Sequence, residues 1–186
     1  MRVSKTEADR SKERIVESAS KLFRERGFEK VSVSEIMKDA GMTHGGFYRH
    51  FSSKDELMAA ACDFAFSKSQ ISLKEMGLER VLEQYLSESH MNNPSNGCII
   101  AALAGEISRQ EMPLQDSFSV GVKKQIDVLN SLLEQGQTLD GENRQRSIVM
   151  FSSMIGALLM ARSVNDTDLA KEILTAVLKE LKSKNV

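Results

Sequence analysis

The segment Asp39–Leu57, DAGMTHGGFYRHFSSKDEL, decides how this chain folds. Two adjacent glycines, Gly45 and Gly46, precede an aromatic and basic stretch that otherwise begins like a helix. In a helix interior glycine costs about 1 kcal/mol relative to alanine, so something other than helix propensity must favour them. Thr43 stands where an N-cap residue belongs, and Phe47 and Phe51 share one helical face. Ser53–Glu56, SKDE, reads as a capping box that opens a long helix.

Upstream, Ile15, Ala19, Leu22 and Phe23 recur at helical spacing, and Gly27 takes the usual position just past a helix end. Ser32–Glu35, SVSE, is another capping box; Ile36, Met37 and Ala40 form the buried face of the short helix it starts, and Gly41 stops it. A supporting helix, a short helix, a glycine turn and a second short helix make the pattern of a helix-turn-helix, in which the last element enters the DNA major groove. The glycines then acquire a purpose. A helix N-terminus that meets phosphate needs bare backbone N–H groups, and the acid that completes a capping box would repel the ligand. Gly46 occupies that third position after Thr43, and Gly45 beside it lets the backbone approach closely. A simple loop is the competing reading. Tyr48 sits about 100° around the helix from Phe47, free to reach a phosphate or to edge the core. Arg49 suits a guanine edge or open solvent.

The run SVSEIMKDAGMTHGGFYRHFSSKDEL, preceded by RIVESASKLFRERGFEKVSV, resembles the DNA-binding domain of the TetR family of one-component repressors over about residues 10–60. The resemblance implies a homodimer on double-stranded operator DNA, with a DNA-binding domain at 1–53 and a helical domain at 54–186 that binds a small-molecule effector and dimerises. It implies that Ser32, Thr43, Tyr48, His50 and Lys54 meet phosphates, while His44, Gly45, Gly46 and Arg49 lie where base edges are read. His44 departs from the commoner Lys and Gly46 from a commoner hydroxyl or small residue, so no operator sequence carries over.

Beyond residue 60, further helices are expected near 78–91, 98–110, 114–136, 143–163 and 167–183, with HMNNPSNG, His90–Gly97, as the clearest loop. The helix from Lys54 connects the reading head to the body. Phe64, Met76, Met91, Met112, Phe118, Met150, Phe151 and Met154 supply soft apolar surface suited either to a cavity for an apolar or amphipathic effector or to plain core. Ile148, Ile155, Leu158, Leu159, Ile173, Val177 and Leu181 form stripes too extensive for one surface, as expected of a four-helix dimer interface. Cys98 has two readings. With Asn96 or Ser95 as cap it falls in a first helical turn, where the dipole's positive end suits an oxidant- or electrophile-sensing thiol; packed beside Ile99 and Ala102 it is an ordinary buried cysteine. No Lys, Arg or His lies close to it in sequence.

Composition bounds the rest. The chain has 186 residues, 41% of them hydrophobic, and a net charge of −1, enough for a core and no global basic coat. Lys and Arg outnumber Asp and Glu by two in residues 1–60, whereas the remainder has three more acids than bases. Two prolines and little β-branched alternation point to an all-α fold, and Cys62 with Cys98 makes neither a disulfide framework nor a metal site. No apolar run spans a bilayer, so a cytoplasmic protein is expected. His44 and His50 are six apart, not the three or four that places metal ligands on one helical face, and no phosphate-binding glycine loop follows a strand. Neither an enzyme nor a cofactor is expected. A helical small-molecule carrier would explain the Met-rich body but not the motif at residues 32–54.

Overall fold

The computed structural model describes residues 5–134 and 143–185, without the side chains of residues 5, 6, 71–74, 184 and 185. All regular structure among the described residues is helical, and the fold is all-α. Helix α1 spans Lys5–Arg26 and α2 Val33–Asp39; a 3-10 segment at His44–Arg49 leads to α3, Lys54–Lys74. The body continues with α4 (Leu78–Tyr85), α5 (Glu88–Asn92), a 3-10 turn at Pro94–Asn96, α6 (Ile99–Ile107), α7 (Met112–Glu134), α8 (Asn143–Ser163) and α9 (Thr167–Asn185).

Local chemistry explains most boundaries. Gly27 (φ 84°) and Gly41 (φ 71°) end α1 and α2 in the left-handed region that side chains avoid. The Ser32–Glu35 box is complete: the Ser32 hydroxyl accepts from Glu35 N–H at 3.2 Å, and Glu35 Oε2 accepts from Ser32 N–H at 2.8 Å. At α3 the expected box is altered. Ser53 Oγ accepts from Glu56 N–H at 3.1 Å, but Glu56 Oε2 accepts from the N–H and hydroxyl of Ser52, both at 2.7 Å, rather than from Ser53.

Two expected elements differ. The single helix near 78–91 is two, because α4 stops at Tyr85 and Ser87 Oγ accepts from His90 N–H to start α5. The loop at His90–Gly97 therefore begins inside α5 and contains a 3-10 turn. The helix near 98–110 is the shorter α6, capped neither by Ser95 nor by Asn96; Cys98 itself is its N-cap residue, and its side chain makes no capping bond. The last two residues of the helix expected at 114–136 lie outside the described residues.

One apolar core runs through the whole chain. Ile15, Phe23, Ile36, Phe47 and Leu57 fill its N-terminal part, and Leu82, Leu103, Leu129, Met150 and Met154 its C-terminal part. Helix α3 joins the two, since it packs against both α1 and α7. Cross-links tie the periphery: Lys182 bridges α9 to Glu79 (2.7 Å) and Glu83 (2.6 Å) of α4.

Candidate nucleic-acid interface and adjoining cavity

Phe47 anchors the segment that follows the glycine turn. It is fully buried, stacks on Phe51 at 5.8 Å between centroids, and meets Tyr48 edge-on at 5.2 Å. Burying such a ring contributes about 2–3 kcal/mol. With one ring of the Phe47–Tyr48 pair pinned inside, the other is forced out: Tyr48 is 70% exposed, with His44 edge-on beside it. Thr43, His44, Gly45 and Arg49 are exposed as well, and His50 is half-buried. Thr43 is the N-cap residue of the segment but its side chain makes no capping bond, so its hydroxyl is uncommitted there.

The two glycines are not required by the fold. Neither has a positive φ among the described residues. A Cβ on Gly45 would meet nothing within 4 Å, and one on Gly46 would reach only Met37 Cε at an ordinary 3.5 Å. No internal contact accounts for this pair.

Ser32 and Lys54 have internal partners. The exposed Ser32 donates its hydroxyl to Glu35 Oε2 at 2.8 Å, within its capping box. These bonds hold the Glu35 carboxyl below its ordinary range. Lys54 Nζ donates to the Phe28 carbonyl at 2.6 Å and lies over the Phe23 ring at 5.9 Å, joining α3 to the end of α1. Sequence reading did not find this structural role. It also missed Lys12, whose ammonium sits 5.0 Å from the Phe51 ring centroid.

Behind the head, a cavity of about 380 Å³ opens between α1, α3, α4 and the Ser87–Ile99 segment. Met76 lines it, with Arg24, Lys68, Tyr85, His90 and Cys98. A recess of about 30 Å³ adjoins it and is lined by Phe151 and Met154, sharing Tyr85 and Cys98. Other candidates for the pocket lie elsewhere: Met91 lines a separate cleft, Met112 is exposed, Phe64 packs with Lys68, and Phe118 and Met150 are core residues, Phe118 edge-on to Phe66.

Cys98 is far from lonely in space. Its N–H donates to His90 Nε2 at 2.9 Å, which obliges the other ring nitrogen, 2.7 Å from the Tyr85 carbonyl, to carry the proton. Arg24 Nη1 donates to the Gly97 carbonyl at 2.9 Å, and Arg162 donates to the carbonyls of His90 (2.7 Å) and Met91 (3.1 Å). Burial lowers the His90 pKa, so the ring favours the neutral form this geometry needs. Cys62 is different: fully buried in α3, its thiol is pushed up to about 12 by desolvation and by the Asp63 charge. No pattern in the sequence could assemble Arg24, Tyr85, Cys98 and Arg162, which come from four separate elements.

Among the described residues no helix is long and apolar enough to cross a membrane, and no three metal-binding side chains cluster. Helices α8 and α9 leave apolar side chains outside: Ile148 and Leu159 are exposed, and Ile155, Ile173 and Val177 half-buried. Leu158 and Leu181, assigned to the same interface from sequence, are buried in the chain's own core.

Residues 15–61 match the family model described as bacterial regulatory proteins, tetR family. The chain is 26% identical over 172 residues to the HTH-type transcriptional repressor NemR of Escherichia coli K12, covering 84% of this chain and 86% of that protein. It is 36% identical over 63 residues to the transcriptional regulator TtgR of Pseudomonas putida, covering 34% of this chain and 30% of that one. The fold matches a crystal structure of the reduced form of E. coli NemR (TM-score 0.77, 24% identity, 94% and 97% of the two chains). It also matches a TetR regulator from Legionella pneumophila (TM-score 0.78, 19% identity, both chains in full). Residues 15–61 thus match the tetR-family DNA-binding regulatory domain, and over most of its length the chain is similar to transcriptional regulators of that family.

Proposed function

We propose that this regulator is a homodimeric repressor whose DNA-binding head, residues 1–53, is released from its operator when a small molecule occupies the cavity beside Cys98 in the 54–186 body. Repression is the activity in the name of NemR, which is similar over most of its length. One observation carries the effector reading: the cavity wall includes Arg24 of α1, the helix that supports the reading head, and Arg24 is bonded to Gly97 on the opposite wall. Glu106 of α6 reinforces this join by accepting from Phe28 N–H at 2.8 Å. Occupancy that parts these walls moves α1 directly, and two heads that must fit half-sites about 34–36 Å apart tolerate little displacement. DNA fragments selected by the protein, titrated by fluorescence anisotropy against a small-molecule panel, test this. Cavity ligands should weaken DNA binding by about 5–150-fold; a panel whose binders all leave the affinity unchanged sinks the reading.

A second trigger is favoured by the surroundings of Cys98. Cys98 lines the cavity, within reach of a small electrophile, and Arg24 is bonded to the carbonyl of the adjacent Gly97. Alkylation of the native protein should modify Cys98 well before Cys62. Equal rates, or oxidant-driven DNA release that survives Cys98→Ser, would remove the thiol from the mechanism and leave reversible ligands alone.

A further inference from the structure

We propose that the cavity beside Cys98 is built for an organic anion, its carboxylate-like head held by Arg24 and the Tyr85 hydroxyl and its hydrocarbon part lying among Met76, Val81 and Ile99. The proposal rests on the effector reading of this cavity and gives the effector a chemical class.

Arg24 is the cation of the site. It spends one N–H on the Ser20 carbonyl and one on Gly97, both at 2.9 Å, and has donors to spare. Burial, not a neighbouring carboxylate, is the main influence on this guanidinium and lowers its pKa. Among the described residues that line the cavity there is no Asp or Glu, while Lys68 adds a second cation. Acids face a separate cleft that Arg24 also borders, Asp166 among them: Glu88 there pairs with Lys171 at 3.2 Å, and Glu25 approaches Arg26 at 3.9 Å.

Tyr85 supplies the independent observation. Its hydroxyl is buried and makes no well-formed hydrogen bond among the described residues, its one close polar neighbour being the weakly bonding Cys98 thiol, and its side chain lines both the cavity and the recess behind it. A buried hydroxyl without an acceptor is costly, and a ligand oxygen would relieve that cost. His90, edge-on at 4.6 Å, cannot serve, because Nε2 accepts from Cys98 and the other nitrogen is committed to the Tyr85 carbonyl. Helix α6 starts at this wall without a side-chain cap, so its positive end adds to the field. An anion that draws Arg24 toward itself loosens the Arg24–Gly97 bond and so frees α1.

The test uses the full-length protein and three matched series: hexanoate, octanoate and 4-phenylbutanoate, each with its primary amide and its amine. Titration calorimetry should show at least one carboxylate binding about tenfold tighter than its amide, with the amine weaker still. Tyr85→Phe, which removes only the unpartnered oxygen, and Arg24→Gln should each reduce carboxylate affinity by about tenfold while amide affinity stays put. Should Arg24→Gln fail to fold, Tyr85→Phe and the wild-type series still decide. Carboxylates that bind no better than amides, or carboxylate affinity unmoved in Tyr85→Phe, overturn the anion assignment, even if an amide releases DNA and the effector reading survives. Selective carboxylate binding that leaves DNA affinity unchanged upholds the anion site and removes its effector role.

Discussion

Gly45 tolerates a side chain within its own molecule, since its Cβ direction is empty and its φ is not positive. Gly45→Ala should therefore raise stability by up to about 1 kcal/mol through the unfolded state while weakening DNA binding, because the added methyl meets only the duplex. Thermal melting and anisotropy on selected DNA read the two effects separately; unchanged affinity would show that the glycine is incidental. Tyr48 and Arg49, both exposed, belong to different classes of contact. Tyr48→Phe should weaken specific and scrambled duplexes alike, whereas Arg49→Ala should cost about 1–3 kcal/mol on the selected sequence and relax its base preference. The reverse pattern would reorient the recognition segment. Lys54 makes a poorer probe than its sequence position suggests, because removing it also strips the Phe28 carbonyl of its 2.6 Å partner. Ser32 is compromised likewise by its bonds to Glu35.

Helices were legible because periodicity and caps act over three or four residues, the distance at which sequence pattern reports structure directly. The Ser32 box, Gly27 and Gly41, and the extents of α8 and α9 show this. Where two local signals competed, reading failed: apolar spacing across residues 78–91 suggested one helix, but the cap at Ser87 starts a second. The recognition segment folds as a 3-10 turn, which suits a six-residue piece with two poor helix formers. The cavity was illegible for another reason, since Arg24 meets Gly97 across 73 residues and Arg162 meets His90 across 72. His90 ties this assembly together, and it imposes a pH dependence. Burial lowers its pKa in the fold from an ordinary 6.5, so below that value the unfolded chain binds the additional proton first. Its contribution is complete above pH 6.5 and is lost as pH falls through the folded value, when a proton on Nε2 would face the Cys98 N–H it now accepts. Chemical denaturation between pH 5 and 8 should show stability falling on the acid side, and His90→Gln should flatten that part of the profile. A wild-type profile parallel to that of His90→Gln would remove His90 from the balance.

At the scale of the whole molecule, an apolar stripe is left unpartnered among the described residues. On α8, Ile148, Ile155 and Leu159 recur at spacings of seven and four, with Val149 and Met160 alongside, and the opposite face buries Met150, Met154, Ala157 and Leu158. Val149 is 57% exposed, Met160 52% and Leu159 51%, so an aqueous monomer presents these side chains with nothing to cover them. A symmetric pairing of α8 and α9 with a second copy buries the stripe against itself, which is the geometry an isologous interface requires. In the proposed dimer the same pairing would set the separation of two reading heads, so dimerisation and operator affinity should fail together. Leu159→Glu alters a side chain already half in water and should change monomer stability by no more than about 0.5 kcal/mol. By sedimentation it should run at the mass of one chain, and operator affinity should fall by about 10²–10⁴ because the half-sites are no longer engaged as a pair. Leu158→Glu, one residue away but fully buried, should instead unfold the body, since a charge would be placed in the core. A Leu159→Glu protein that sediments as a dimer and holds its operator at wild-type affinity would put the interface on another face.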